Sequence, residues 1–324
     1  MDKYINPSIR EDLVSRRSKL ERTIETSGDD KQLRRLISEV DEALQRLDEG
    51  TYGLCEVCHE PIEHERIIHD PLVRFCLDHL QPEEQRALEE DLLVASQIQS
   101  GLLPPVTSHF PGWEFAYHYE AAGVVSGDYC DILIHHNTMY FSIGDVSGKG
   151  VSSALLMAHL HATFRALVAQ GLNLEQIMER ASRIFCEVSL PTYFATLVCG
   201  KANQTGEIEL CSAGHNPALV SQGNKINRLD ATGLPLGMFC DEEFSTIKMN
   251  LNPGDSLFLY TDGLTEAMDS KETQYGMDRL SDIFTENRNL KPAKIIASSL
   301  KNLNDFQMGT KKSDDLTIMV IRRL

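Results

Sequence analysis

Apolar positions in the first fifty residues repeat at helical spacing. Leu33, Ile37, Val40, Leu44 and Leu47 follow one another at alternating steps of four and three, which makes one seam along one helix. Ile9, Leu13, Leu20 and Ile24 draw a weaker stripe ahead of them, and the turn-rich Thr26-Ser27-Gly28-Asp29-Asp30 separates the two. The pattern predicts a helical hairpin over residues 9–48. From Pro82 to Leu103 a charged segment carries Leu88, Leu92, Ala95, Ile98 and Leu102 at three- and four-residue steps before Pro104-Pro105 stops it. That predicts a connecting helix whose stripe packs on its own domain or meets a dimer partner. Beyond residue 110 the period changes. Short alternating or apolar runs at 113–121, 139–143, 195–200, 208–212, 256–261 and 316–322, bounded by Gly, Asp or Asn, read as strands. Helical patterns at 150–170, 174–189 and 277–286 stand among them. Strand-heavy blocks with helices inserted predict layered α+β structure rather than a regular parallel βαβ series.

Length adds that the 324 residues suffice for about two domains, each with a core. The formal charge of -17, from 48 acidic and 31 basic residues, argues against direct nucleic-acid binding or an anionic-membrane surface. No apolar run approaches the roughly 18 residues of a spanning helix, and Met1-Asp2-Lys3-Tyr4 opens no secretory signal. A cytoplasmic location is expected. Cysteine usage agrees: Cys130, Cys186, Cys199, Cys211 and Cys240 are scattered in apolar or strand-like surroundings and read as inert small hydrophobes, so no disulfide framework is expected.

The other cysteines cluster. Cys55-Glu-Val-Cys58 is followed after seventeen residues by Cys76-Leu-Asp-His79, and paired soft ligands two residues apart suit one tetrahedral Zn²⁺. His59, His64 and His69 lie inside the loop, but His79 alone completes a second pair at that spacing. Four protein ligands leave no open position, so this zinc would be structural. The hairpin, Gly50-Thr51-Tyr52-Gly53-Leu54-Cys55-Glu56-Val57-Cys58, Pro61-Ile62, Glu65-Arg66 and the trailing Cys76 pair resemble the DksA/TraR zinc-finger family over roughly residues 8–80. That resemblance implies contact with RNA polymerase through an inserted hairpin. The chain departs from it in its short hairpin and in His79, where a fourth cysteine is usual.

Four aspartates carry the remaining chemistry, in Val124-Val125-Ser126-Gly127-Asp128-Tyr129-Cys130-Asp131, Gly144-Asp145-Val146-Ser147-Gly148-Lys149-Gly150, Tyr260-Thr261-Asp262-Gly263 and Asp314-Asp315-Leu316-Thr317. Each stands beside a strand-like run, so strand ends can bring the carboxylates together around hard cations such as Mg²⁺ or Mn²⁺, as metal-assisted hydrolysis requires. The Gly144–Gly150 stretch is no P-loop: Ile143 stands at its first glycine position and Gly150 replaces the Ser/Thr. His215 reads as a strand-end turn residue rather than a general acid, and Cys130 as an ordinary substitution rather than a redox thiol.

In order along the chain, Ser126-Gly127-Asp128-Tyr129, Gly144 to Gly150, Thr192-Tyr193-Phe194-Ala195-Thr196, Ala213-Gly214-His215-Asn216-Pro217, Gly233-Leu234-Pro235-Leu236-Gly237, Tyr260 to Ala267 and Asp314 to Thr317 resemble the protein phosphatase 2C (PPM) catalytic domain of SpoIIE/RsbU type. Ala95-Ser96-Gln97-Ile98-Gln99 with Leu102-Leu103-Pro104 is similar to the regulatory connector before that domain. The resemblance implies a β-sandwich of two antiparallel sheets flanked by helices, and two Mn²⁺ or Mg²⁺ ions. Asp145 would bridge both ions, the Val146 carbonyl would add to one, Asp262 and Asp314 would bind the other, and Asp128 would hold a metal shell directly or through water. A water activated by the two metals would then hydrolyse phosphoserine or phosphothreonine on a partner protein, by family analogy a phosphorylated STAS-type anti-sigma-factor antagonist in a stress circuit. The phosphate-gripping arginine of many eukaryotic relatives has no match. Three segments are therefore expected: 1–81, hairpin and zinc finger; 82–105, connector, through which the chain could form a homodimer or take an upstream regulatory protein's signal; and 106–324, phosphatase domain. The alternative reading is a DksA-like polymerase regulator with a sensory or inactive phosphatase-like domain.

Overall fold

The computed structural model describes residues 7–27, 31–80, 82–105, 110–310, 312 and 314–324, so Gly28-Asp29-Asp30 of the expected turn lie outside the described residues. The chain divides into two compact units, Met1–Asp91 and Leu92–Leu324.

In the first unit, α1 (Pro7–Ser27) and α2 (Lys31–Glu49) form the hairpin. Leu13 of α1 meets Val40, Ala43 and Leu47 of α2, with Ile9, Leu20 and Leu44 packed around them. After α3 (His64–His69) and a 3-10 turn at Leu77–His79, a second small core gathers Cys55, Ile62, Ile67 and Cys76. Arg74 ties this lobe together, pairing with Glu56 through two bonds of 2.6 and 2.7 Å and with Glu42 on α2 at 3.1 Å. Neither core is large, which leaves a metal a structural role to fill.

Helix α4 (Pro82–Leu102) runs across the division. Its sequence stripe splits between two faces: Leu92, Ala95 and Leu102 are half-buried, whereas Ile98, expected among them, is 64% exposed. The cause is a polar residue, Gln99, that takes a place in the buried face. Its side-chain amide donates to the Ser126 carbonyl at 2.7 Å and accepts from the Ser126 N–H at 3.0 Å, so a buried polar group is satisfied where apolar periodicity would look for a leucine.

The second unit is built from two five-stranded antiparallel sheets. One, in order, is β1 (Trp113–Glu120), β10 (Leu316–Arg323), β9 (Ser256–Tyr260), β6 (Ala218–Gln222) and β7 (Lys225–Leu229). The other is β2 (Asp128–His135), β3 (Thr138–Val146), β4 (Ala195–Asn203), β5 (Glu207–Ala213) and β8 (Ile247–Asn250). Side chains alternate across each sheet. On β10, Met319 and Ile321 enter the core between the sheets while Ile318 and Val320 enter the core under α8 (Gly276–Asn287) and α9 (Pro292–Gln307). On β3, Met139, Phe141 and Ile143 face the inter-sheet core and Val146 faces α5 (Val151–Val168) and α6 (Leu174–Val188). The short α7 (Asp262–Thr265) follows β9. Two packed sheets with helices outside both are the layering the resemblance implied.

Two expectations need correction. Helix α5 is, by length and composition, apolar enough to cross a membrane; here it packs on the β2–β5 sheet through Met157, Leu160, Phe164 and Leu167, and its Arg165 makes a bidentate pair with Asp131 at 2.9 Å. Cys186 and Cys240 are joined in a disulfide, their Cα atoms 5.8 Å apart, although they are 54 residues apart in sequence and were expected to be separate buried thiols. Cys240 lies on an exposed loop, a placement no local pattern encodes.

Candidate active site

Antiparallel pairing of β2 with β3 sets Asp128 directly opposite Asp145 at one end of the sandwich. Asp262 opens α7 at the end of β9, and Asp314 and Asp315 precede β10, its neighbour in the other sheet. Four separate motifs therefore meet because four strand ends meet.

Each acid is held differently. Asp128 is buried, and its Oδ2 accepts from the hydroxyls of Thr261 at 2.9 Å and Thr317 at 2.5 Å. Those threonines are also joined through backbone, so Asp128 of one sheet is clamped to the ends of β9 and β10 in the other. Burial, then the charge of Asp145, pushes the Asp128 carboxyl well above its ordinary range. Burial, then Asp262 and Asp314, pushes Asp145 up to about 7. Asp262 is raised by burial, then by Asp314 and Glu266. Asp314 is half-exposed, with the Lys149 ammonium 3.1 Å away. Asp315 has another task. One of its oxygens accepts from the Ala122 N–H at 2.7 Å and the other from the Gly127 N–H at 2.8 Å, which fixes the loop before Asp128 and leaves Asp314 as the outward-facing acid of the pair.

This donor set fits divalent cations. Carboxylates crowded until they resist ionisation are relieved by positive charge, and oxygen is the ligand hard cations prefer. A second observation comes from Gly127. A Cβ built there would stand 2.9 Å from the Val146 carbonyl oxygen and 3.3 Å from Asp145 Oδ1, so both atoms border one small space that glycine leaves open. Gly127→Ala is expected to raise the Mn²⁺ concentration needed for half-saturation roughly tenfold, about 1.4 kcal/mol, without unfolding the domain. Calorimetric Mn²⁺ titration checks this, and unchanged affinity would contradict it.

Gly263 meets a similar constraint: a Cβ there would stand 1.9 Å from the Asp315 carbonyl oxygen. His215 is a buried joint. Its Nδ1 accepts from the Thr196 hydroxyl at 2.8 Å and its Nε2–H donates to the Tyr260 carbonyl at 3.0 Å, and burial pushes its pKa down to about 4. A neutral imidazole with both nitrogens engaged links β4 to β9 and is not an acid poised for a leaving group. Cys130 is buried and its thiol is pushed up by burial, then by Asp131 and Asp128, which makes it inert.

In the first unit, Cys55, Cys58, Cys76 and His79 place their ligand atoms within 4.8 Å of one another, the one set so tightly gathered among the described residues. The Cys58 and Cys76 sulfurs are 3.8 Å apart, and about 3.8 Å is the separation of two sulfurs each ~2.3 Å from one tetrahedral centre. His79 Nδ1 is 3.2 Å from the Cys76 sulfur, whereas His59 and His64 are exposed. Burial and the neighbouring thiols push Cys76 up to about 11. A Zn²⁺ would offset that crowding. Stripping zinc with a strong chelator, or Cys55→Ser, is expected to open residues 51–80 to proteolysis within minutes while residues 110–324 stay protected; resistance of both regions would contradict a structural zinc.

The sequence pointed to the four acids and to the Cys/His set as candidate ligands and left Asp315 open as an alternative to Asp314, but gave no role to Gln99, Thr261 or Thr317. Thr261 and Thr317 each sit next to, or shortly after, a candidate acid in its motif, a signal that hydroxyl donors for a buried carboxylate were at hand.

Residues 135–324 match the family model described as stage II sporulation protein E (SpoIIE). The chain is 27% identical over 248 residues to the phosphoserine phosphatase RsbU of Bacillus subtilis, a match spanning 74% of this chain and 72% of that protein. A 76-residue stretch, 23% of the chain, is 37% identical to the RNA polymerase-binding transcription factor DksA of Caulobacter vibrioides and spans about half, 53%, of it. The solved PP2C domain of SiaA from Pseudomonas aeruginosa matches with a TM-score of 0.65 at 19% identity, covering 75% of this chain and 99% of that one, which is a likeness of fold. Since the family model spans more than half of the chain and the second unit has the two-sheet architecture, the chain belongs to the SpoIIE family of PP2C-type phosphatase domains.

Proposed function

We propose that this chain is a metal-dependent serine/threonine protein phosphatase that removes phosphate from a regulatory partner protein, with its activity governed through the zinc module and the connector helix. The observation that carries the reading is the gathering of Asp262 and Asp314 around a largely buried Asp145, whose carboxyl is pushed up to about 7 by burial first and by those neighbouring charges second. Asp145, Asp262, Asp314 and the Val146 carbonyl would hold two Mn²⁺ or Mg²⁺ ions, with Asp128 supporting them from its threonine clamp. Bound cations supply activation of water and neutralisation of phosphate charge at neutral pH. Lys149, at the rim beside Asp314, brings a positive charge suited to orienting a phosphate oxygen. Asp315 and Gln99 keep the 122–128 loop in place, which preserves the Asp128 position during turnover.

The likeness to RsbU supports a phosphoserine substrate, and the proposed substrate class is a phosphorylated STAS-type anti-sigma-factor antagonist in a partner-switching circuit. Such a phosphoprotein, incubated with the full chain and Mn²⁺, should lose its phosphate at a rate proportional to enzyme; retention of phosphate while a phosphoserine peptide is hydrolysed would reject that substrate and keep the reaction. We also propose three segments, 1–81, 82–105 and 106–324, with the middle one able to pair two copies of the chain. Leu93, Val94 and Ile98, 53 to 64% exposed on α4, support that pairing. The likeness to DksA favours a second reading, in which the first unit contacts RNA polymerase. The short hairpin predicts no stable capture of core polymerase in a pull-down, and stable capture would favour the second reading.

A further inference from the structure

The disulfide between Cys186 and Cys240 lies outside the acid cluster, yet its loop is linked to it by strand pairing. Cys186 is in the last turn of α6, half-buried, and Cys240 is on the exposed loop between Leu236 and Phe244. Both ends of that loop are anchored, since Leu236 and Phe244 are buried in the core beneath α5 and α6. Between the anchors the non-covalent ties are few. The Ser182 hydroxyl donates to the Phe239 carbonyl at 3.4 Å, the Met238 N–H to the Pro235 carbonyl at 3.4 Å and the Leu234 N–H to the Glu242 carboxylate at 3.4 Å, while Arg183 stands 3.8 Å from Asp241 with both of those side chains exposed. Each is at the long end of its range, so the covalent bond is the firmest hold on the middle of the loop.

From the loop the path inward is short. Leu236 and Ala195 exchange backbone bonds of 2.8 and 2.9 Å. Ala195 is paired in turn with Val146, the residue whose carbonyl borders the Gly127 space. Beside them the Phe194 N–H donates to the Ser147 hydroxyl at 3.0 Å while the Ser147 N–H donates to the Phe194 carbonyl at 2.9 Å. A loop fastened at Cys240 thus supports the strand partner of the Asp145-Val146 segment.

Cysteine chemistry elsewhere argues that the bond opens and closes. Cys55, Cys58, Cys76, Cys130, Cys199 and Cys211 are free thiols, and the first three belong to the Cys/His cluster, which needs reduced sulfur. One bridge in a chain that otherwise keeps its thiols is the pattern of a redox-responsive pair rather than of a stapled scaffold. We propose that Cys186 and Cys240 are a reversible redox site, whose oxidation fastens the 237–243 loop to α6 and firms the backbone pairing next to Val146. Hydrogen peroxide is the oxidant class. The exposed Cys240 sulfur attacks the O–O bond, one oxygen leaves as water and the other stays as a sulfenic acid; the Cys186 sulfur then displaces that oxygen as a second water. Two thiols lose two electrons and two protons in all, and a dithiol reductant reverses the change.

The test uses the full chain, reduced with a dithiol or treated with peroxide, and mapped by alkylation and peptide mass spectrometry beside Cys186→Ser and Cys240→Ser. The cross-linked peptide pair should form with peroxide and vanish with dithiol. Amide exchange at residues 193–197 and 234–240 should be about tenfold slower in the oxidised chain, with both variants fixed at the reduced rate. Absence of the cross-link, or a cross-link that leaves exchange at 193–197 unchanged, overturns the proposal. A further arm rests on the proposed metal site: Mn²⁺ affinity should fall roughly threefold on reduction. Loss of all Mn²⁺ binding in both redox states would count against the metal site, whereas redox-independent binding beside a redox-independent exchange pattern would count against the switch.

Discussion

Asp145→Asn abolishes metal-dependent turnover and makes the metal-free protein more stable. The substitution keeps the size of the side chain but removes the charge that Asp262 and Asp314 oppose and that burial disfavours. A loss of roughly a thousandfold in kcat, about 4 kcal/mol of barrier, is expected for a residue that would bridge both cations. The stability effect has a definite sign. Between the ordinary aspartate value of 3.8 and about 7, the folded metal-free chain retains a proton that the unfolded chain has released. Its stability therefore falls as pH rises through that window and is lowest above it. The asparagine variant lacks this loss. In scanning calorimetry without metal, its melting temperature should exceed the wild type's by about 3 °C at pH 8 and by much less at pH 4. Mn²⁺ should raise the wild-type value at pH 8 and leave the variant unmoved. A wild type that gains stability relative to the variant as pH rises from 4 to 8 would show that Asp145 is not crowded as described.

His215→Ala should cost about 3 kcal/mol of stability, because it leaves the Thr196 hydroxyl and the Tyr260 carbonyl without their partner in a dry site and opens a cavity. That corresponds to a fall of roughly 8 °C in melting temperature. The sign of the pH dependence is opposite to that of Asp145. The folded-state pKa of His215 is pushed down to about 4, below the ordinary 6.5, so its contribution is complete above 6.5 and lost as pH falls through about 4. The same neutrality bears on catalysis. His215→Gln, assayed well below its melting temperature, should keep the wild-type pH–rate profile although its rate is lower. Disappearance of one limb of the profile would make His215 a proton donor after all.

What could be seen in the sequence follows the range of the interactions. Motif words carry their own local reasons: Gly127 and Gly263 are glycine because neighbouring backbone or carboxylate oxygens come within a Cβ's reach. Long apolar runs such as Ser256 to Tyr260 and Leu316 to Ile321 are buried on both faces and announce central strands. The strand β7 does not, since Lys225, Asn227 and Arg228 are exposed at a sheet edge and break the alternation. Helix α9 escaped the periodicity reading although Pro292 at its start and Ile295, Ile296, Ser299 and Leu303 on its buried side were signals. Its inward face includes a serine, whose hydroxyl is satisfied by the Ile295 carbonyl, so apolar counting undervalues it. Gln99 misleads in the same way on α4. The Thr261–Asp128–Thr317 clamp, the two-amide grip of Asp315 and the Cys186–Cys240 bond join residues far apart in sequence, and only the tertiary fold brings them together.

The most direct measurement is phosphate release from a phosphoserine protein or peptide, titrated with Mn²⁺ from zero, for the full chain and for Asp262→Ala prepared in parallel. The account predicts saturable release that needs the metal, is abolished by chelation and is at least a hundredfold slower, about 2.7 kcal/mol, in the variant. Equal release by the variant, or release that persists without divalent metal, would contradict the assignment of the aspartate cluster as a two-cation phosphatase site.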